Sequence, residues 1–178
     1  MRAASASAPP VAFILDGFAF TAESRVGQAI GSKSRADLVR AIRLTAEFCF
    51  GVAVIACLLI WLAGSAAIAL LVTNAAVRDA ATALLPFVAL LPLIGTPAWL
   101  LDGIFIGATA GKALRNAAIL ATALYMATDL LLRPWGLTGL WIAFLLSYVY
   151  RASALGAYLP GLLRTLAPPI ARPAPLES

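Results

Sequence analysis

The chain has 178 residues, 62% of them hydrophobic and 12% charged, with 13 Lys and Arg, 8 Asp and Glu, and no His. An ordinary globular domain is about 45–50% apolar and about 25% charged, so this composition excludes most soluble proteins and points to a membrane protein. The absence of His removes the commonest general base and metal ligand, so triads built on His, zinc hydrolases and His-ligated haem are excluded, and any chemistry runs on carboxylates. A net charge of +5 would suggest nucleic acid in a soluble chain. Here the basic residues sit between apolar runs, so they read as topology signals and no nucleic-acid partner is expected.

A spanning helix takes about 20 residues, so the length holds roughly five or six spans. The Ala- and Ser-rich start carries one basic residue, Arg2, and the apolar run after it is interrupted by Asp16 and Glu23, so no cleaved signal is expected. The first span is placed at about 10–31, opening at Pro9-Pro10 and stopping at Gly31-Ser32-Lys33. The second, at about 37–63, has Ser34 or Asp37 as its cap and is loosened by Gly64-Ser65, with Ala66 to Val72 as a short continuation or interfacial helix. The third, at about 80–110, contains Pro86, Pro92 and Pro97, each of which removes a backbone donor. The fourth, at about 113–132, ends at Arg133-Pro134-Trp135-Gly136 with Trp135 at headgroup level, and the fifth, at about 137–159, ends at Pro160-Gly161. The remaining tail is too rich in proline for helix. Cys49 and Cys57 are about 12 Å apart along one helix, too far for a disulfide, and read as packing residues.

Basic residues cluster after span one (Lys33, Arg35, with Arg25, Arg40 and Arg43 nearby), after span three (Lys112, Arg115) and in the tail (Arg164, Arg172), against Arg2, Arg78 and Arg133 on the other side. The positive-inside rule then places the N-terminus outside and the C-terminus in the cytoplasm of a multi-pass membrane protein.

An Asp within a span is costly, at least about 2.5–3.5 kcal/mol near the centre, and needs a partner, a cavity or a proton. Leu15-Asp16-Gly17-Phe18-Ala19-Phe20 is echoed by Leu101-Asp102-Gly103-Ile104-Phe105-Ile106. Counted back from the expected helix ends, Asp102 lies about 14 Å and Asp16 about 22 Å along the axis. One reading is a cation or proton site, in which Asp102 ranks first, then Asp16 and Glu23. The other is a packing residue or a salt bridge to Arg25 or Arg115. Glu47 and Asp129, nearer span ends, read as interfacial charges.

Asp16-Gly17-Phe18-Ala19-Phe20-Thr21-Ala22-Glu23, followed by Val26-Gly27-Gln28-Ala29-Ile30-Gly31, resembles the signature of the multidrug and toxic compound extrusion (MATE) transporters, specifically their DinF-like branch. Leu101 to Thr109, then Arg115-Asn116, and Gly139-Leu140-Trp141 with Ala143-Phe144, extend the resemblance over about Ala12 to Leu166. It implies an all-α polytopic helix bundle of about five transmembrane helices, matching helices eight to twelve of a protein with about twelve, so part of the C-terminal lobe. Residues 1–9 would then lie outside the family pattern, 10–166 would form the membrane domain, and 167–178 a disordered tail.

What the resemblance implies in function is secondary antiport: H+ or Na+ drives export of an organic, often cationic, compound. No other cofactor, no metal and no catalytic residue are expected. The family's tenth-helix acidic residue falls on or near Asp102, and Asp16 and Glu23 match acidic positions of its eighth helix. Phe18, Phe20 and Phe105, with Thr109, are offered as substrate-lining residues, since aromatic faces suit a cation. The partners expected are the lipid bilayer, a small organic substrate and a separately encoded N-terminal lobe, because alternating access needs two bundles. Two alternatives stand beside it: a non-transporting membrane fragment or assembly subunit, and an intramembrane aspartyl hydrolase built on Asp16 and Asp102. The hydrolase fits less well, because a dyad needs its carboxyls side by side and the depths differ by about 8 Å.

Overall fold

A computed structural model describes residues 23–28, 30–31 and 35–165. The stretch at 1–9, most of the first expected span with Asp16, Phe18 and Phe20, and the tail at 167–178 lie outside the described residues. What is described is an all-α membrane helix bundle, with no strand among the described residues. Residues 23–28 and 30–31 are helical (α1), followed by α2 (Arg35–Leu71), α3 (Ala75–Gly107), α4 (Gly111–Leu132), a 3-10 turn (Arg133–Trp135) and α5 (Gly136–Thr165). Among the described residues three stretches are long and apolar enough to cross a membrane: Ala36–Leu71, Ala75–Gly107 and Gly111–Arg164. The third folds back on itself at the 3-10 turn, because Gly136 adopts φ +59° and ψ −135°, a conformation open to glycine and closed to most side chains. It therefore supplies two antiparallel helices, α4 and α5.

Helix ends depart from the sequence expectation in four places, one of them the start of α3 at Ala75 where about residue 80 was expected. The second span reaches past residue 63, because of the two readings of Ala66 to Val72 the continuation is the one observed: α2 runs through Gly64-Ser65 to Leu71, and Gly64 lets the side chain of Leu85 on α3 lie against the backbone. At 37 residues α2 is about 55 Å long, so its first turns, carrying Arg40, Arg43 and Glu47, reach beyond an apolar layer about 30 Å thick. Pro160-Gly161 likewise fails to end α5, which continues to Thr165 because Leu159, Leu162 and Leu163 pack on the core. The third helix stops at Gly107 rather than Ala110. Its end is a Schellman motif: Ala110 N–H donates to Phe105 O (2.9 Å) and Thr109 N–H to Ile106 O (2.8 Å), with Thr109 left-handed at φ +53°. Glycine is the usual occupant of that position, so a threonine there carries no stop signal.

The turn joining α2 to α3 is fixed at both ends. Asn74 caps α3, its Oδ1 accepting from Ala76 N–H (3.0 Å) and Val77 N–H (3.3 Å), and Arg78 donates through Nε and Nη2 to Val72 O. Helix α3 runs without interruption through Pro86, Pro92 and Pro97 although each lacks an N–H to donate, and Thr96 Oγ1 donates to Pro92 O (2.6 Å) inside the bundle. It is the central element, packed against α2 on one side and α5 on another, while α4 covers α5.

The five described helices meet at the C-terminal end of α3. Val26, Leu38, Cys49, Leu100, Ile104, Phe105, Ala117 and Leu155 form one buried cluster there. Elsewhere large apolar side chains face outward, including Phe48, Leu62, Leu70 and Leu131, as expected of surfaces that meet lipid. Both cysteines are free thiols, Cys49 in the core and Cys57 half-buried.

Candidate functional site

Two charged residues of the apolar helices, distant in sequence, meet in one contact. Asp102, five residues before the end of α3, accepts from Arg151 at the middle of α5: Nε lies 3.0 Å from Oδ1 and 2.9 Å from Oδ2, and Nη2 lies 2.8 Å from Oδ1. The Asp102 side chain is 20% exposed and that of Arg151 29%, so water and neighbouring dipoles screen the pair only in part. This partner differs from both expected ones. Arg115 projects from the first turns of α4 toward its neighbour Asn116, and Arg25 is exposed on α1. The earlier end of α3 also leaves Asp102 only about 8 Å from its helix terminus.

Arg151 was absent from the sequence reading, although the rule that singled out Asp102 applies equally to an Arg inside an apolar run. A second signal was the spacing of Trp141, Phe144, Tyr148 and Arg151, which repeats every three or four residues and so marks one face of α5. That face meets α3. Trp99 and Tyr148 contact edge to face at 5.3 Å between ring centroids, Phe144 touches both Tyr148 (5.3 Å) and Trp141 (5.9 Å), and Phe87 stacks on Trp141 at 6.4 Å. The pairs Phe87/Trp141, Trp99/Tyr148 and Asp102/Arg151 follow one another in the same direction along both helices, so α3 and α5 run parallel.

A cavity of about 360 Å³ opens between α4 and α5 beside this face, lined by Tyr125, Phe144, Ser147, Tyr148 and Arg151 with Thr122 and two alanines of α4. Thr128 and Tyr150 hydrogen-bond across the same two helices at 3.0 Å.

The remaining sequence-selected residues are distributed differently. Phe105, offered as a substrate-lining side chain, is 1% exposed and forms part of the core, because residues of the four other described helices pack around that turn of α3. Thr109 lies exposed at the α3–α4 turn with Lys112, Asn116 and Tyr158. Glu23 is half-buried, and its backbone lies against Gly107: a Cβ there would fall 2.5 Å from Glu23 O and 3.1 Å from Glu23 Cα. Glu47 pairs with Arg43 (2.8 Å) and Asp129 with Arg133 (3.6 Å), each one turn away on its own helix. Among the described residues no group of three or more His, Cys, Asp and Glu could hold a metal ion. The carboxylate of Asp102 faces a guanidinium, and Asp16, the second member of a possible dyad, lies outside the described residues.

Residues 2–131 match the MatE family model. The chain belongs to the MatE family, whose members are membrane transporters and not enzymes. It is 35% identical over 147 residues to DNA damage-inducible protein F of Escherichia coli (strain K12), a match that covers 82% of this chain and 32% of that protein. The chain thus spans about a third of the length of the curated relative it matches. No solved structure matches it.

Proposed function

We propose that the chain is part of a secondary active antiporter that exports organic compounds in exchange for H+ or Na+, with Asp102 as the coupling carboxylate and Asp16 and Glu23 as further acidic contributors. The observation that carries this reading is the two-pronged contact between Asp102 and Arg151, which ties α3 to α5. A proton or sodium ion taken up by Asp102 cancels or shares its charge and weakens that tie, so occupancy by the coupling ion and the packing of two helices are linked. Glu23 lies on a helix packed against Gly107, so movement of the α3 terminus would carry α1 with it.

Alternating access requires two bundles moving about a central site. The proposal therefore includes a second lobe, in the same polypeptide or separately encoded, with the bundle in the inner membrane, its N-terminus outside and its C-terminus cytoplasmic. The test is uptake of an organic compound into proteoliposomes under a pH or sodium gradient, with and without a matching first lobe. Gradient-driven uptake is expected only when both lobes are present, and Asp102→Asn should abolish the response to the gradient. Coupled uptake by this chain alone would remove the requirement for a second lobe, and intact coupling in Asp102→Asn would remove Asp102 from the mechanism.

A further inference from the structure

We infer that the cavity between α4 and α5 binds an amphipathic organic anion, its carboxylate or sulfonate held by Arg151 and its ring lying against Tyr125, Phe144 and Tyr148. The inference rests on the proposed function in placing this cavity on the route of a transported compound, and it departs from the cationic substrate that family resemblance suggests. Its ground is the charge of the lining. Among the described residues Arg151 is the one charged residue that lines the cavity, and Asp102 does not line it at all. The Asp102 oxygens are turned to Arg151, so a cation entering here would meet a guanidinium before any carboxylate.

A guanidinium has five N–H donors in a planar fork, enough for two acceptors on different edges. Asp102 accepts from Nε and lies 2.8 Å from Nη2, so it faces the Nε/Nη2 side of the guanidinium. Asp102 thereby fixes the orientation of Arg151, whose other edge takes the second anion. The hydroxyls of Thr122, Tyr125 and Tyr148 add neutral donors to the same wall, and Ser147 Oγ is turned toward Phe144 O (2.6 Å). Three aromatic rings and small alanines leave a space for a flat apolar body. At about 360 Å³ the cavity falls within the range of roughly 300–1,000 Å³ usual for small-molecule sites.

The probes are naphthoate and naphthylmethylammonium, close in shape and opposite in charge, measured by equilibrium dialysis against the full chain in lipid nanodiscs, with empty nanodiscs as the blank. Naphthoate is expected to bind about tenfold more tightly than the ammonium, and Arg151→Gln to weaken naphthoate by about tenfold through loss of a charge-assisted contact. Thr122→Trp, which fills the cavity and leaves the ion pair alone, should also abolish naphthoate binding, and it decides the matter if Arg151→Gln does not fold. Equal or tighter binding of the ammonium, no binding of either probe, or wild-type naphthoate binding in the folded variants would overturn the inference. The readout is binding, so absence of transport leaves this result standing, and a negative result here leaves ion coupling at Asp102 untouched.

Discussion

Asp102 and Arg151 stand 49 residues apart in the chain and meet through three contacts of 2.8–3.0 Å between parallel helices. Each alone would be a charge among apolar neighbours. Together they neutralise one another and fix the register of α3 against α5, one turn beyond the Trp99/Tyr148 contact.

Removing both partners should therefore cost less than the two single removals added together. Asp102→Asn or Arg151→Gln alone is expected to lower stability by about 1–3 kcal/mol, because the charge left behind loses its counter-ion while remaining largely out of water. The double variant should lose less than the sum of the two. Thermal unfolding of the four proteins in one detergent checks this, and additive losses would mean that the contact contributes no coupling.

Close backbone approach at Gly107 should be unforgiving. Gly107→Ala places a methyl group against the Glu23 carbonyl and is expected to cost about 1–3 kcal/mol by separating α1 from the end of α3. Gly31→Ala, with open space around it in the same helix as Glu23, should be neutral or stabilising by up to about 1 kcal/mol. Comparing the melting temperatures of the two variants is the measurement, and equal effects would contradict the packing described.

Thr109 holds a left-handed backbone that costs a side-chain-bearing residue roughly 1–2 kcal/mol. Thr109→Gly is accordingly expected to raise stability by up to about 1 kcal/mol, after the entropy of the more flexible unfolded chain is subtracted. A melting temperature unchanged or lowered by the substitution would show that the Thr109 side chain contributes more than its backbone costs.

The turns at the two ends of α3 should lie on opposite faces of the membrane. Val77→Cys, beside the exposed start of α3, is expected to react with an impermeant maleimide from outside intact cells, and Lys112→Cys only after the membrane is opened. The two background thiols, Cys49 and Cys57, are replaced by Ala in both variants. Labelling of both sites from one side would contradict the span assigned to α3, and the reversed pattern would invert the orientation.

Much of this architecture was readable from residue order. Apolar runs set α2 to α5, and Arg133-Pro134-Trp135-Gly136 marked the fold-back between α4 and α5. Three local signals were decided by packing. Gly64-Ser65, Pro160 and Thr109 carry local preferences that packing overrode: Leu85 fills the space at Gly64, leucines beyond Pro160 are held by the core, and hydrogen bonds to Phe105 and Ile106 support the strained Thr109.

The sequence by itself determined that this is a helical membrane protein of the MatE family and that Asp102 is an exceptional residue, because hydropathy and the cost of a buried charge are properties of a single helix in lipid. Only the tertiary structure decided that Asp102 belongs to Arg151, that Phe105 is core, and that the cavity beside the pair presents a cation. Those depend on which faces of helices distant in sequence meet, and periodicity within one helix shows that a face exists without showing what it touches.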